Sequence, residues 1–161
     1  MKFNEFKYER PNLDEVIKEL QEQIALIGGN NDLETELKAV YKVFEINDRI
    51  GTLGTLVSIR NSVNTTDEFY EQEQAFFDEQ GPHLRQFEHL FLEKLLASKH
   101  RKGLEKELGS LMFLRGELAQ KTFKPEIISD LQQENKLSTE YGKLIASAKI
   151  EFQGGVDRKS T

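Results

Sequence analysis

The chain has 161 residues, 31% of them charged, a net charge of −6 and no cysteine. Its length suits one core that buries close to ~70% of the surface an unfolded chain exposes. Zero cysteines exclude disulfide scaffolds, thiolate zinc sites and thiol nucleophiles, and fit a reducing cytoplasm. Acidic balance and singly spaced lysines argue against nucleic-acid binding. The start, Met1 to Phe6, has no apolar signal region, and no run approaches the ~18 apolar residues of a membrane span, so a soluble cytoplasmic protein without membrane partner is expected.

In chain order, Pro11-Asn12 supplies the cap of a first helix, with Glu15 in capping-box position. Leu13, Val16, Ile17, Leu20, Ile24 and Ile27 form its apolar stripe, and Gly28-Gly29 ends it. A second helix starts near Asn31 or Asp32 with Leu33, Leu37, Val40, Tyr41 and Phe44 on one face. At ~100° per residue, Ile50, Leu53, Leu56 and Val57 then point roughly opposite, which requires burial on two sides or a bend near Gly51 and Gly54. The segment Asn64 to Glu68 starts a third helix with threonine as cap. That helix carries Phe69, Phe76 and Phe77, meets Gly81-Pro82, where a kink is expected, and resumes through Leu84, Phe87, Leu90, Phe91 and Leu95.

Leu104, Leu108, Leu111, Met112, Leu114 and Leu118 predict a single fourth helix, with Gly109-Ser110 inside it as a packing position. Pro125 opens a fifth helix running to about Ala148. Lys149 to Phe152 alternates like a short strand with nothing in the chain to pair with, and the tail from Gly154 to Thr161 lacks periodicity and reads as disordered. The fold class expected is all-α: about five amphipathic helices in an antiparallel array, with a short terminal strand near 149–152.

Candidate chemistry is sparse. His83, His89 and His100 are not followed by glutamate, so no His-Glu-x-x-His motif is present, and their spacing matches no usual ligand pattern. Serines lack a nucleophile elbow, and Gly51-Thr52-Leu53-Gly54 is neither a P-loop nor a dinucleotide fingerprint. Asn64-Thr65-Thr66 satisfies a glycosylation sequon but reads better as a helix cap. Catalytic, cofactor-binding and metal-ligating residues are therefore assigned to none. Two polar placements stand out. Arg60 shares the side of Leu53, Leu56 and Val57, and Glu134 with Ser138 lies within the stripe Ile127, Leu131, Tyr141 and Ile145. Such groups form internal ion pairs or an exposed rim, or else line a polar channel completed by another part of the protein.

The start Phe3-x-x-Phe6-x-Tyr8-x-Arg10-Pro11, the segment Ile59-Arg60-x-Ser62-Val63-x-Thr65-Thr66-Asp67, and the run Glu134-Asn135-Lys136-Leu137-Ser138 continuing through Tyr141 to Gly154 carry a resemblance. Together they resemble the amino-terminal region of the oligoendopeptidase F group of thimet-oligopeptidase-like zinc metallopeptidases. The resemblance implies a mainly helical cytoplasmic enzyme that hydrolyses short peptides in a deep channel, one wall of which the amino-terminal helices form. It implies zinc as cofactor, held by ligands that this chain lacks, and a carboxy-terminal catalytic portion as partner. Residues 1–154 are then the amino-terminal helical segment and 155–161 a disordered tail at a truncation. Alone, the chain is expected to be inactive. The competing reading is a stand-alone helical protein-interaction module.

Overall fold

The computed structural model describes residues 5–122, 125–152 and 155–158. Helices dominate: α1 is Leu13–Ala25, α2 Leu33–Val63, α3 Glu68–Ala97, α4 Arg101–Leu108, α5 Ser110–Thr122 and α6 Ile128–Ser147, the last preceded by a one-turn 3-10 helix at Pro125–Ile127. The expected count of about five is corrected to six among the described residues, because Gly109 adopts φ +89° and ends α4 before α5 begins. A glycine read as a packing position inside one helix is in fact the break between two. Only a residue without Cβ enters that backbone region cheaply.

Two compact units share the chain. The unit built from Pro11–Gly51 and His83–Ile127 holds the main core. There Val16, Leu20, Ile24 and Ile27 meet Val40, Val43 and Ile46 of α2, Phe91 and Leu95 of α3, Leu104 of α4 and Phe113 of α5. Each such side chain contributes about 1.5–3 kcal/mol by leaving water. The stripe predicted for α1 is the one buried, and Asn12 caps it by accepting from the Asp14 N–H at 3.2 Å. Asp32 caps α2, accepting from the Thr35 N–H at 2.8 Å, which holds its carboxyl below the usual range. Glu36, one turn on, is fully buried. Its carboxylate accepts from the Ser98 hydroxyl at 2.5 Å and from the Gly28 N–H at 3.3 Å.

The other unit comprises the described parts of Met1–Arg10, Thr52–Pro82 and Ile128–Thr161. Leu56 and Val57 are buried in it, and Gly54 lets the ring of Phe77 approach to 3.4 Å from where a Cβ would stand. Of the shifted face of α2, Ile50 still packs against the main core, and Leu53, Leu56 and Val57 belong to this other unit. The helix runs unbroken from Leu33 to Val63, but its first part serves one unit and its last part the other. Proline does not split α3 either, for Pro82 lies inside it and is fully buried. The cap of α3 is Asp67, not a threonine: its Oδ1 accepts from the N–H groups of Phe69 and Tyr70 at 3.0 and 3.3 Å.

The lone strand expected near 149–152 is corrected too. Lys149–Phe152 forms β1, and Gly155–Arg158, expected to be irregular, forms β2. They pair antiparallel from Lys149 opposite Arg158 to Phe152 opposite Gly155. An extended segment with unmet peptide groups takes the nearest available partner, which here follows it directly in the chain. Residues 159–161 of the expected tail lie outside the described residues.

Candidate functional site

In the unit containing α6, two side chains converge on Glu73, which lies just over one turn into α3 and is 3% exposed. Arg10 grips both carboxylate oxygens: Nε donates to Oε1 at 3.1 Å and to Oε2 at 2.9 Å, while Nη2 donates to Oε1 at 2.5 Å. The Tyr8 hydroxyl donates to Oε2 at 2.5 Å. The hydrogen bonds from Arg10 hold the Glu73 carboxyl below its ordinary value against the opposing effect of burial. Burial, reinforced by the adjacent carboxylate, pushes the Tyr8 phenol well above its ordinary value. Arg10 also lies over the Phe76 ring at 4.8 Å, and Tyr8 packs edge-on against Phe69. These contacts tie the extended segment before α1 onto α3.

Sequence reasoning missed this trio, although a signal existed. Glu73 falls between Phe69 and Phe76 at helical spacing, an acid on an aromatic face, as Arg60 is a cation on an aliphatic one.

Arg60 lies beside the same segment. It donates to the Phe6 carbonyl at 2.5 Å and to the Tyr70 hydroxyl, with its guanidinium 5.3 Å from the Tyr70 ring centre. Together with Phe6, Tyr8, Val63, Asp67 and Tyr70 it borders an open recess of about 830 Å³. A second recess of about 290 Å³ is lined by hydroxyls and amides, among them Ser58, Asn61, Ser62, Gln74, Ser138 and Thr139, with Lys143 at its border. Asn61 is 7% exposed, and its Oδ1 meets no hydrogen-bond donor among the described residues. Next to this recess, buried Asp78 accepts from Gln74 and Thr139 at 2.8 and 2.7 Å.

Of the three residues singled out from sequence, Arg60 and Ser138 border different recesses, and Glu134 borders neither. The stripe that framed Glu134 and Ser138 is not a core face: Tyr141 and Ile145 are exposed, and α6 buries no residue. What the recesses can do is hold an extended, partly apolar chain beside a cation on one hand and a row of hydroxyls on the other.

Among the described residues no group of three His, Cys, Asp or Glu side chains could hold an ion. His100 instead places Nε2 3.1 Å from the Asn31 carbonyl, and the His89 carbonyl accepts from Gln120 at 2.7 Å. No helix among the described residues is long and apolar enough to cross a membrane.

Residues 3–123 match the family model described as Peptidase M3 N-terminal domain. Among solved structures, the chain is similar to PZ peptidase A with a bound inhibitor, at 37% identity and TM-score 0.93, covering 98% of this chain and 28% of that one. An oligoendopeptidase F is 39% identical, again at TM-score 0.93 and with the same coverage. Another oligoendopeptidase F, from Bacillus anthracis str. Ames, is 37% identical at TM-score 0.92, covering 98% of this chain and 29% of that one. The chain therefore spans less than a third of the length of these relatives. Comparison with curated proteins gives no match.

Proposed function

The chain belongs to the peptidase M3 N-terminal domain family, and from that premise we propose that residues 1–154 form the amino-terminal helical part of a zinc metallo-oligopeptidase acting on short peptides in the cytoplasm. The observation that carries this reading is the near-complete overlay of the chain on 28% of PZ peptidase A at 37% identity. Zinc and the reacting groups belong to the remainder of such an enzyme, and the role of this part is to bind and orient. Arg60, above an open recess walled by Phe6, Val63 and Tyr70, supports its use as one wall of a peptide channel. Ser138, on the hydroxyl-lined recess, supports a second wall, whereas exposed Glu134 borders neither recess and gains no such support.

A quenched fluorescent peptide with added zinc tests the division of labour. The chain alone should give no turnover, whereas PZ peptidase A whose matching segment is replaced by this chain should cleave the peptide. Chelator-sensitive turnover by the repurified chain alone, or a folded chimera without activity, would refute the reading.

A further inference from the structure

Helix α6 is turned inside out. At about 100° per residue, Gln132, Asn135, Thr139 and Lys143 share one side of a helix, and Leu137, Tyr141, Leu144 and Ile145 share the opposite side. A surface helix normally sends its apolar stripe inward. Here the polar stripe does the anchoring. Gln132 donates to the Glu79 carbonyl at 2.7 Å, Asn135 to the Asp78 carbonyl at 3.3 Å, Thr139 to the Asp78 carboxylate at 2.7 Å, and Lys143 pairs with Glu71 at 2.5 Å. The apolar stripe faces solvent, with Leu137 55%, Tyr141 65%, Leu144 66% and Ile145 46% exposed.

A continuous apolar stripe of this kind on a soluble surface marks an interaction face. Its four hydrogen-bonded anchors fix which side points outward, so rotation of the helix cannot hide it without breaking them. Such a face is suited to a partner that buries it. The relatives supply a candidate for that partner: 98% of this chain coincides with less than a third of each of them, so most of each relative's chain lies outside the matching part.

We infer that the stripe Leu137, Tyr141, Leu144 and Ile145 is the docking face for the catalytic remainder of an M3 peptidase. The helix is held to its own unit by hydrogen bonds and to the remainder by oil. This inference rests on the function proposed above, and its test separates the two.

The chimera of PZ peptidase A carrying this chain is prepared with the native stripe and as Leu137→Ser/Leu144→Ser, with Gln133→Ser/Glu140→Ser as a control on other exposed positions of α6. Alongside it, the 161-residue chain alone is prepared with and without the same stripe changes. If the stripe docks the remainder, the stripe changes lower the chimera's thermal midpoint and raise hydrogen exchange in α6 by about tenfold or more. The control changes leave both in place, and the chain alone keeps its own midpoint while binding less of a hydrophobic dye. A chimera that is active with the native stripe and unaffected by the stripe changes overturns the docking face while leaving the proposed function intact. A folded but inactive chimera overturns the function instead. Failure of the native-stripe chimera to fold counts against docking, since it means that this surface does not fit such a remainder. Unfolding of the chain alone by the stripe changes, or a discrete dimer of it that they abolish, overturns the inference in favour of an internal core or a second copy.

Discussion

Arg10 and Glu73, 63 positions apart, meet through three hydrogen bonds in which one exposed guanidinium neutralises one buried carboxylate. The asymmetry of burial decides which partner matters more. Arg10→Ala leaves the carboxylate buried with the Tyr8 hydroxyl still donating to it, and should lower stability by about 1–3 kcal/mol, less than for a fully buried pair because Arg10 is half exposed. Glu73→Gln should lose less, since an amide can still accept from Arg10. Urea unfolding of both variants and of the double variant gives the coupling. Equal losses for the two single changes would contradict this account.

The same trio sets the pH response. Glu73 titrates below its unfolded value of about 4.3, so its contribution is complete above that value and disappears as pH falls through the folded one. Tyr8 titrates above its unfolded value of about 10, so its contribution is complete below that value and disappears as pH rises through the folded one. Urea midpoints measured across pH should therefore drop at both ends. Tyr8→Phe should flatten the alkaline arm and Glu73→Gln the acid arm, and unchanged arms in both variants would remove the trio from the explanation.

Two glycines should respond with opposite signs to the same change. Gly28 has φ +77°, and a Cβ there would sit 3.2 Å from the Lys94 carbonyl oxygen, so Gly28→Ala should destabilise by roughly 1–2 kcal/mol. Gly51 lies within α2 with nothing within 4 Å of an added Cβ. Gly51→Ala should stabilise by about 0.5–1 kcal/mol through helix propensity. Thermal or urea melts of the two variants check the pair.

Asn61 gives a third case. Its Oδ1 lost water on folding and gained no donor among the described residues, a loss of about 1–3 kcal/mol. Asn61→Leu, which keeps the branched shape with somewhat more bulk beside an open recess, should raise stability by up to about 1 kcal/mol. A clear decrease in the urea midpoint would mean that the amide is held by a partner after all.

Local signals were legible in the sequence where chemistry acts over a few residues. Asn12 and Asp32 cap where their side chains allow it, and the α1 stripe from Val16 to Ile27 faces the core as its period requires. Misreadings came from two sources. Gly109 and Asp67 have more than one plausible local role, and only the backbone dihedral or the hydrogen bonds select one. The orientation of α6 misled for a different reason. Its apolar residues recur at helical spacing as those of α1 do, but period alone cannot say whether the covering surface belongs to the same molecule. Arg60 was legible as a cation on an aliphatic face, yet its partners at Phe6 and Tyr70 depend on a fold-back that no local pattern encodes. The Glu73 trio was missed for the same cause.

The shelter given to Glu36 also bears on the order in which the chain assembles. Its donors come from the turn after α1, only eight positions away, and from the end of α3, 62 positions away. The near one can arrive with the first helical hairpin, whereas the far one must wait for a long loop to close, a step that is slow in entropy terms. Without it, the buried carboxylate would keep the Gly28 N–H but lose the Ser98 hydroxyl. The full shelter of Glu36 therefore draws on two distant stretches of the chain at once, the turn after α1 and the end of α3.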